Sequence, residues 1–129
     1  MAIKAEDLRI GNLLYFPFHK EVVEVVGLPL LPDGKQGVQV KTQGTILCEE
    51  FLEQFNPIPL TEEEWLGGKL KFIRDKSRVQ WIKDGIRICL TPENRFVYPD
   101  AAHDYVYIDF VHELQNLFKQ LTKNELTIK

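Results

Sequence analysis

The stretch SRVQWIKDGIRICL, residues 77–90, decides the fold. Asp84-Gly85 lies between two short runs, and a two-residue type I′ turn needs positive φ at both central positions, which Asp-Gly tolerates. The stretch therefore reads as a β-hairpin. Its return arm alternates, with Ile86, Ile88 and Leu90 on one face and Arg87 and Cys89 on the other. Working outward, KLKFI (69–73) reads as a further strand, joined to the hairpin by the tight turn RDKS (74–77). Downstream, RFVY (95–98) and DYVYI (104–108) supply two more short strands around PDAAH (99–103). A helix follows, with Asp109 as the expected N-cap. The tail ELTIK (125–129) reads as a final edge strand.

Upstream, NPIPLT (56–61) is a stiff connector, because Pro57 and Pro59 hold their predecessors extended. Thr61 and Glu64 have the spacing of a reciprocal capping box, and Gly67-Gly68 is expected to stop that helix within two turns. The first half reads as strands: LLYFPF (13–18), EVVEVVGL (21–28), GVQVKT (37–42) and TILCEE (45–50). Pro17 places the first of these at an edge or a bulge, since proline cannot donate to a ladder. Val38, Val40 and Thr42 alternate with Gln39, Lys41 and Gln43, and EFLEQF (50–55) reads as a single helical turn. The expected architecture is α+β. A small, SH3-like β-barrel lobe (1–58) precedes an antiparallel sheet with one C-terminal helix packed across it (59–129).

A chain of 129 residues with a net charge of −3 does not advertise a polyanion partner. The charge is unevenly spread. Residues 49–64 hold six acidic side chains and no basic one, whereas 69–87 hold seven basic against two acidic. The N-terminus lacks the apolar core of a secretory signal. The most apolar stretch, VVEVVGLPLL (22–31), is too short and too charged to span a bilayer. Cys48 and Cys89 read as reduced thiols, so the expected compartment is the cytoplasm.

FVHELQNLF (110–118) opens like the zinc helix H-E-x-x-H. That motif needs a second histidine at i+4 so that both imidazoles face one metal, and here the position is Asn116, a poor zinc ligand. At about 100° per residue, Phe110, Val111, Leu114, Leu117, Phe118 and Leu121 form the apolar stripe, with His112 turned towards solvent or a partner. VHELQNLFKQLT followed by ELTIK resembles the C-terminal signature of an uncharacterised family of small proteins from Bacteroidetes and their prophages, close to V-H-x-L-Q-N-L-Y/F-x-x-L-T-x-x-E-L. DLRIGNLLY (7–15) and PIPLTEEEWL (57–66) are similar to its N-terminal and middle segments. The chain departs from the family at Lys123-Asn124, where a helix-ending glycine is usual, and at Gly67-Gly68, where Gly-Phe is usual. Asn124 is able to supply the left-handed cap instead. The resemblance implies a shared architecture and an accessory protein of a mobile element, with no assigned activity and no functional residue to carry over.

No catalytic, cofactor-binding or metal-binding constellation is assembled in the sequence. Asp100, His103 and Asp104 share a loop, but one histidine beside carboxylates is a weak ligand set. Ser77, the only serine, has no glycine elbow, and Cys48 and Cys89 have no recognisable histidine partner. The expectation is a non-enzyme without a cofactor. Two surfaces remain. Lys69, Lys71, Arg74, Lys76 and Arg78 are candidate phosphate contacts, with Lys69 and Lys71 on one strand face. Trp81, Phe96, Tyr98, Tyr105 and Tyr107 are candidate partner-facing aromatics on the sheet face opposite the helix. The leading reading is a protein-binding or self-associating module, the alternative a nucleic-acid-associated protein using 69–87, and no membrane is involved.

Overall fold

The computed structural model describes residues 3, 5–32, 34–42, 47–75, 80–99 and 105–126. The chain divides into two compact units, Met1–Ile58 and Pro59–Lys129. Together they make a mixed α+β protein built on two antiparallel sheets.

The first unit is a meander of β1 (Leu13–Phe16), β2 (Glu21–Gly27), β3 (Gly37–Lys41) and β4 (Leu47–Phe51), in that spatial order. Period-two patterning places Leu14, Phe16, Val23, Val25, Val38 and Val40 inward, where they pack with Leu8 and Phe55. The expected alternation of β3 holds: Val38, Val40 and Thr42 are buried, and Gln39 and Lys41 are exposed. Gln43 lies outside the described residues, as does Asp33 in the loop after β2. β1 ends at Phe16, because Pro17 enters a turn closed by Lys20 at φ 52° and cannot extend the ladder. A 3-10 turn, Leu52–Gln54, follows β4, and Asn56 then pairs with Tyr15 through two N–H···O bonds of 2.9 Å. Among the described residues the first unit is a four-stranded antiparallel sheet, and no strand pairing joins β4 back to β1.

The second unit is a five-stranded meander of β5 (Ile73–Asp75), β6 (Gln80–Lys83), β7 (Ile86–Leu90), β8 (Phe96–Pro99) and β9 (Tyr105–Ile108), followed by α1 (Val111–Thr122). Asp84 and Gly85 sit at φ 50° and 83°, the paired positive values that a type I′ turn demands, and β6 folds back on β7 in the register Trp81↔Ile88. One sheet face carries Trp81, Ile86, Ile88, Phe96 and Ile108, all buried, with Trp81 edge-on to Phe96 at 5.5 Å.

Five local expectations are corrected. The segment after Thr61 is a π-helix, Glu62–Lys69, with Leu66 and Leu70 donating to the carbonyls five residues back, at 2.8 Å each. It has no side-chain cap, so Thr61 and Glu64 form no capping box, and it runs through Gly67-Gly68 instead of stopping there. A Cβ on Gly68 would run into the carbonyl oxygen of Glu63, so this wide turn needs glycine at that position. The strand expected over 69–73 begins only at Ile73, because Lys71 takes a left-handed φ of 62° that breaks extended geometry. α1 is capped at Phe110, not Asp109: Glu113 Oε1 accepts the backbone N–H of both Asp109 and Phe110, at 2.9 and 3.0 Å. At the far end Lys123, not Asn124, takes the left-handed position, at φ 66°.

The buried arc of α1 is turned from its expected place. Val111, Leu114 and Phe118 are buried as the stripe requires, but Leu121 is exposed, and His112 is only 4% exposed, stacked on Phe110 at 6.0 Å. Gln115 is buried beside it. The last residues of the tail lie outside the described chain, so the expected edge strand there is not described. Cys48 on β4 and Cys89 on β7 are free and half-buried. Among the described residues no helix is long and apolar enough to cross a membrane.

Candidate functional site

The edges of the two sheets draw attention first, because an edge strand leaves a row of backbone donors and acceptors unpaired. Two edges have a backbone bridge beside them: Asn56 on β1, and Pro59 opposite Phe110 just past β9, where Leu60 N–H donates to Asp109 O at 2.9 Å. The outer edges of β4 and β5 have no pairing partner among the described residues.

β5 forms one wall of a hollow of about 500 Å³, lined by Lys71, Ile73, Arg74, Asp75, Ile82, Lys83 and Asp84. The pairing Ile73↔Ile82 puts two isoleucines side by side on the sheet face away from Trp81, and Ile73 is 75% exposed. Asp75 is held by a 2.8 Å bond from the Gln80 amide. Lys83 donates its ammonium to Leu70 O at 2.7 Å, tying the hairpin to the end of the π-helix. The result is an apolar strip with a charged rim along an open strand.

Among the described residues, Lys69, Lys71 and Arg74 do not share one strand face. Lys69 belongs to the last turn of the π-helix, with Nζ 4.6 Å above the Trp65 ring and 3.7 Å from Glu64. Arg74 lies 3.1 Å from Glu62 and 5.6 Å from the Trp81 ring. Lys71 is exposed beside the hollow. The shared strand face expected for Lys69 and Lys71 is absent, since neither is on a strand. Lys76 and Arg78 lie outside the described residues, as do Ser77, Asp100, His103 and Asp104. The acidic run supplies the counter-charges: Glu62 and Glu64 sit in the first turn of the π-helix.

The aromatic surface does not assemble either. The register Phe96↔Ile108 and Tyr98↔Val106 places the β8 aromatics on the core face, while Tyr107 pairs with Val97 on the other. Trp81 and Phe96 are therefore interior residues, and Tyr98 is half-buried on their face. Tyr107 is half exposed, but Arg95 lies 4.0 Å over its ring. The same guanidinium grips Asp109 through two bonds of 3.3 and 2.8 Å, which raises the Arg95 pKa further above its ordinary value. The Tyr105 side chain is outside the described set.

Sequence reasoning did not single out Ile82 as a surface group or its pairing with Ile73. The first unit has a counterpart at β4. Leu47 is 69% exposed, Phe51 is exposed under Lys35 at 5.4 Å, and Glu49 and Glu50 stand between them. A second hollow, of about 480 Å³, lies around Gln36, Leu52, Phe55 and Asn56. Among the described residues no group of three or more His, Cys, Asp or Glu side chains is placed to hold a metal ion. Comparison with protein-family models, with curated proteins and with solved structures finds no match to this chain.

Proposed function

We propose that this chain is a non-catalytic binding module that takes an extended segment of a protein, from a partner or from its own copy, along the open edge at β5. The supporting observation is the pairing of exposed Ile73 with Ile82 on the outermost described strand of its sheet, beside a hollow large enough for one or two side chains. Strand addition draws affinity from main-chain hydrogen bonds and specificity from such pockets. The nucleic-acid alternative has less support among the described residues, because Glu62 and Glu64 offset Arg74 and Lys69 there. The SH3-like reading of the first unit rests on its four short strands, the 3-10 turn and the return of Asn56 to β1. A cytoplasmic setting is supported by two free thiols, and an accessory role in a mobile element rests on the resemblance of the C-terminal segment, 7–15 and 57–66.

The test is a tagged pull-down from host lysate with and without nuclease, repeated with Ile73→Asp. Any recovered protein is then purified and its affinity measured. Binding that survives nuclease and weakens at least about tenfold in Ile73→Asp supports the reading, since a charge buried against Ile82 has no partner. Recovery that vanishes with nuclease overturns it in favour of the basic segment.

A further inference from the structure

We infer that two copies of this chain pair β5 against β5 about a two-fold axis through Ile73, joining their second sheets edge to edge. The inference rests on the binding-module reading and names the partner as a second copy. β5 is the outermost described strand of its sheet, and Ile73 is 75% exposed with the whole chain present.

Geometry and charge leave one register. A two-fold axis perpendicular to a sheet preserves its faces, and residues paired across a ladder share a face. An antiparallel self-pairing therefore sets one residue opposite its own copy. β5 offers Ile73, Arg74 and Asp75 for that place. With Arg74 on the axis two guanidinium groups would meet, and Ile73 would face Asp75. With Asp75 there, two carboxylates would meet. Like charges directly opposite are destabilising, so both registers are disfavoured. Ile73 on the axis meets only itself, and Arg74 then stands opposite Phe72, which is buried and uncharged.

The same register makes the apolar surface continuous. Ile82 pairs with Ile73 inside each copy, so Ile82, Ile73, Ile73 and Ile82 stand in one cross-strand row on one face of the joined sheets. Ile82 is itself 37% exposed, and the hydrophobic surface left at each edge is covered by its own copy. Arg74 takes no part, since it shares the other face with Trp81 and stays on Glu62. Each copy offers the same patch to the other, so the contact closes on a dimer by its own symmetry. The ladder is short. Phe72 N–H is already spent on Leu66 O at 2.9 Å, and a three-residue strand on each side falls well below the roughly 800 Å² per partner of a stable complex. The dimer is accordingly weak, with a dissociation constant on the order of 100 µM.

Sedimentation velocity on the full chain, from roughly 10 µM to roughly 1 mM, is expected to show the weight-average mass rising towards that of a dimer and not beyond it. Because the contact is apolar, raising salt from about 0.05 M to about 0.5 M should change the dissociation constant less than about threefold. Ile73→Asp should weaken association at least about tenfold, with circular dichroism to check that it folds. Cross-linking then reads the axis itself. In a Cys48→Ser, Cys89→Ser background, Ile73→Cys sets two thiols directly opposite, their Cα atoms about 4.5–5.5 Å apart and within the span of a disulfide. Diamide is expected to link that variant into dimers and to leave Ile82→Cys monomeric, because the two Ile82 strands stand three strand spacings, about 14 Å, apart. Mass rising past a dimer, association that ignores Ile73→Asp, or Ile73→Cys linking no better than Ile82→Cys would each overturn the proposal. A wild type that stays monomeric while a protein recovered from lysate still depends on Ile73 would overturn the self-pairing and leave the module reading standing. With no such protein recovered, both fall.

Discussion

Gly68 and Gly67 are neighbours in one π-helix, yet a methyl group meets different surroundings at each. At Gly68 the added carbon would press on the Glu63 carbonyl, a backbone atom that cannot step aside, whereas at Gly67 the nearest atom is the Glu62 carbonyl at 3.4 Å, an ordinary contact. Gly68→Ala is therefore expected to cost about 1–3 kcal/mol, as overpacking usually does. Gly67→Ala should be neutral or stabilising by up to about 1 kcal/mol, since alanine favours helical backbone over glycine. Urea unfolding of the two variants beside the wild type reads the difference in sign. The sequence marked Gly67-Gly68 as a helix stop, because isolated glycines in helical patterns usually are. Widening the turn to i→i+5 bonds is a use of glycine that depends on a close carbonyl, and no local pattern announces it. His112 illustrates the same limit, since helical geometry places it off the apolar stripe while the fold buries it against Phe110.

Among the elements, α1 owes its start to one side chain. Glu113 takes up two backbone donors that the first turn would otherwise leave unsatisfied. Glu113→Ala is expected to lower stability by about 0.5–2 kcal/mol, measured by thermal or urea unfolding. Glu113→Gln should retain most of it, because its amide oxygen still accepts. The hairpin at Asp84-Gly85 and the alternation of β3 were legible because turn chemistry and period two are local properties. The β8–β9 register was not legible. A shift of one residue exchanges the two faces of a strand, and the run between β8 and β9 contains nothing that fixes the count. That single parity moved Phe96 and Tyr98 from the expected outer surface to the core face. At β5 the difference comes from Lys71, whose left-handed backbone delays the strand and leaves Lys69 and Lys71 off it.

Across the whole molecule each unit is built around its own buried residues, Leu14 among them in the first sheet and Ile88 in the second. Leu14→Ala and Ile88→Ala are each expected to cost about 2–5 kcal/mol. Amide hydrogen exchange should place the loss of protection first in β1–β4 for Leu14→Ala and first in β6–β8 for Ile88→Ala, because local opening follows the core that has been weakened. An equal loss in both sheets from either change would mean that the units unfold as one. The hairpin signal, the strand alternation and the C-terminal apolar stripe made the α+β class legible, but the exposed strips at β4 and β5 escaped notice. Apolar residues on a short edge strand look identical in sequence to those facing a core.

The two thiols fall one to each unit, Cys48 on β4 and Cys89 within the second sheet, and neither is bonded to the other. The native chain thus arrives with a built-in pair of attachment points for fluorophores or spin labels. One sits on the outermost strand of the first sheet, the other on an interior strand of the second. A dye at each would therefore report separately on the opening of its own unit.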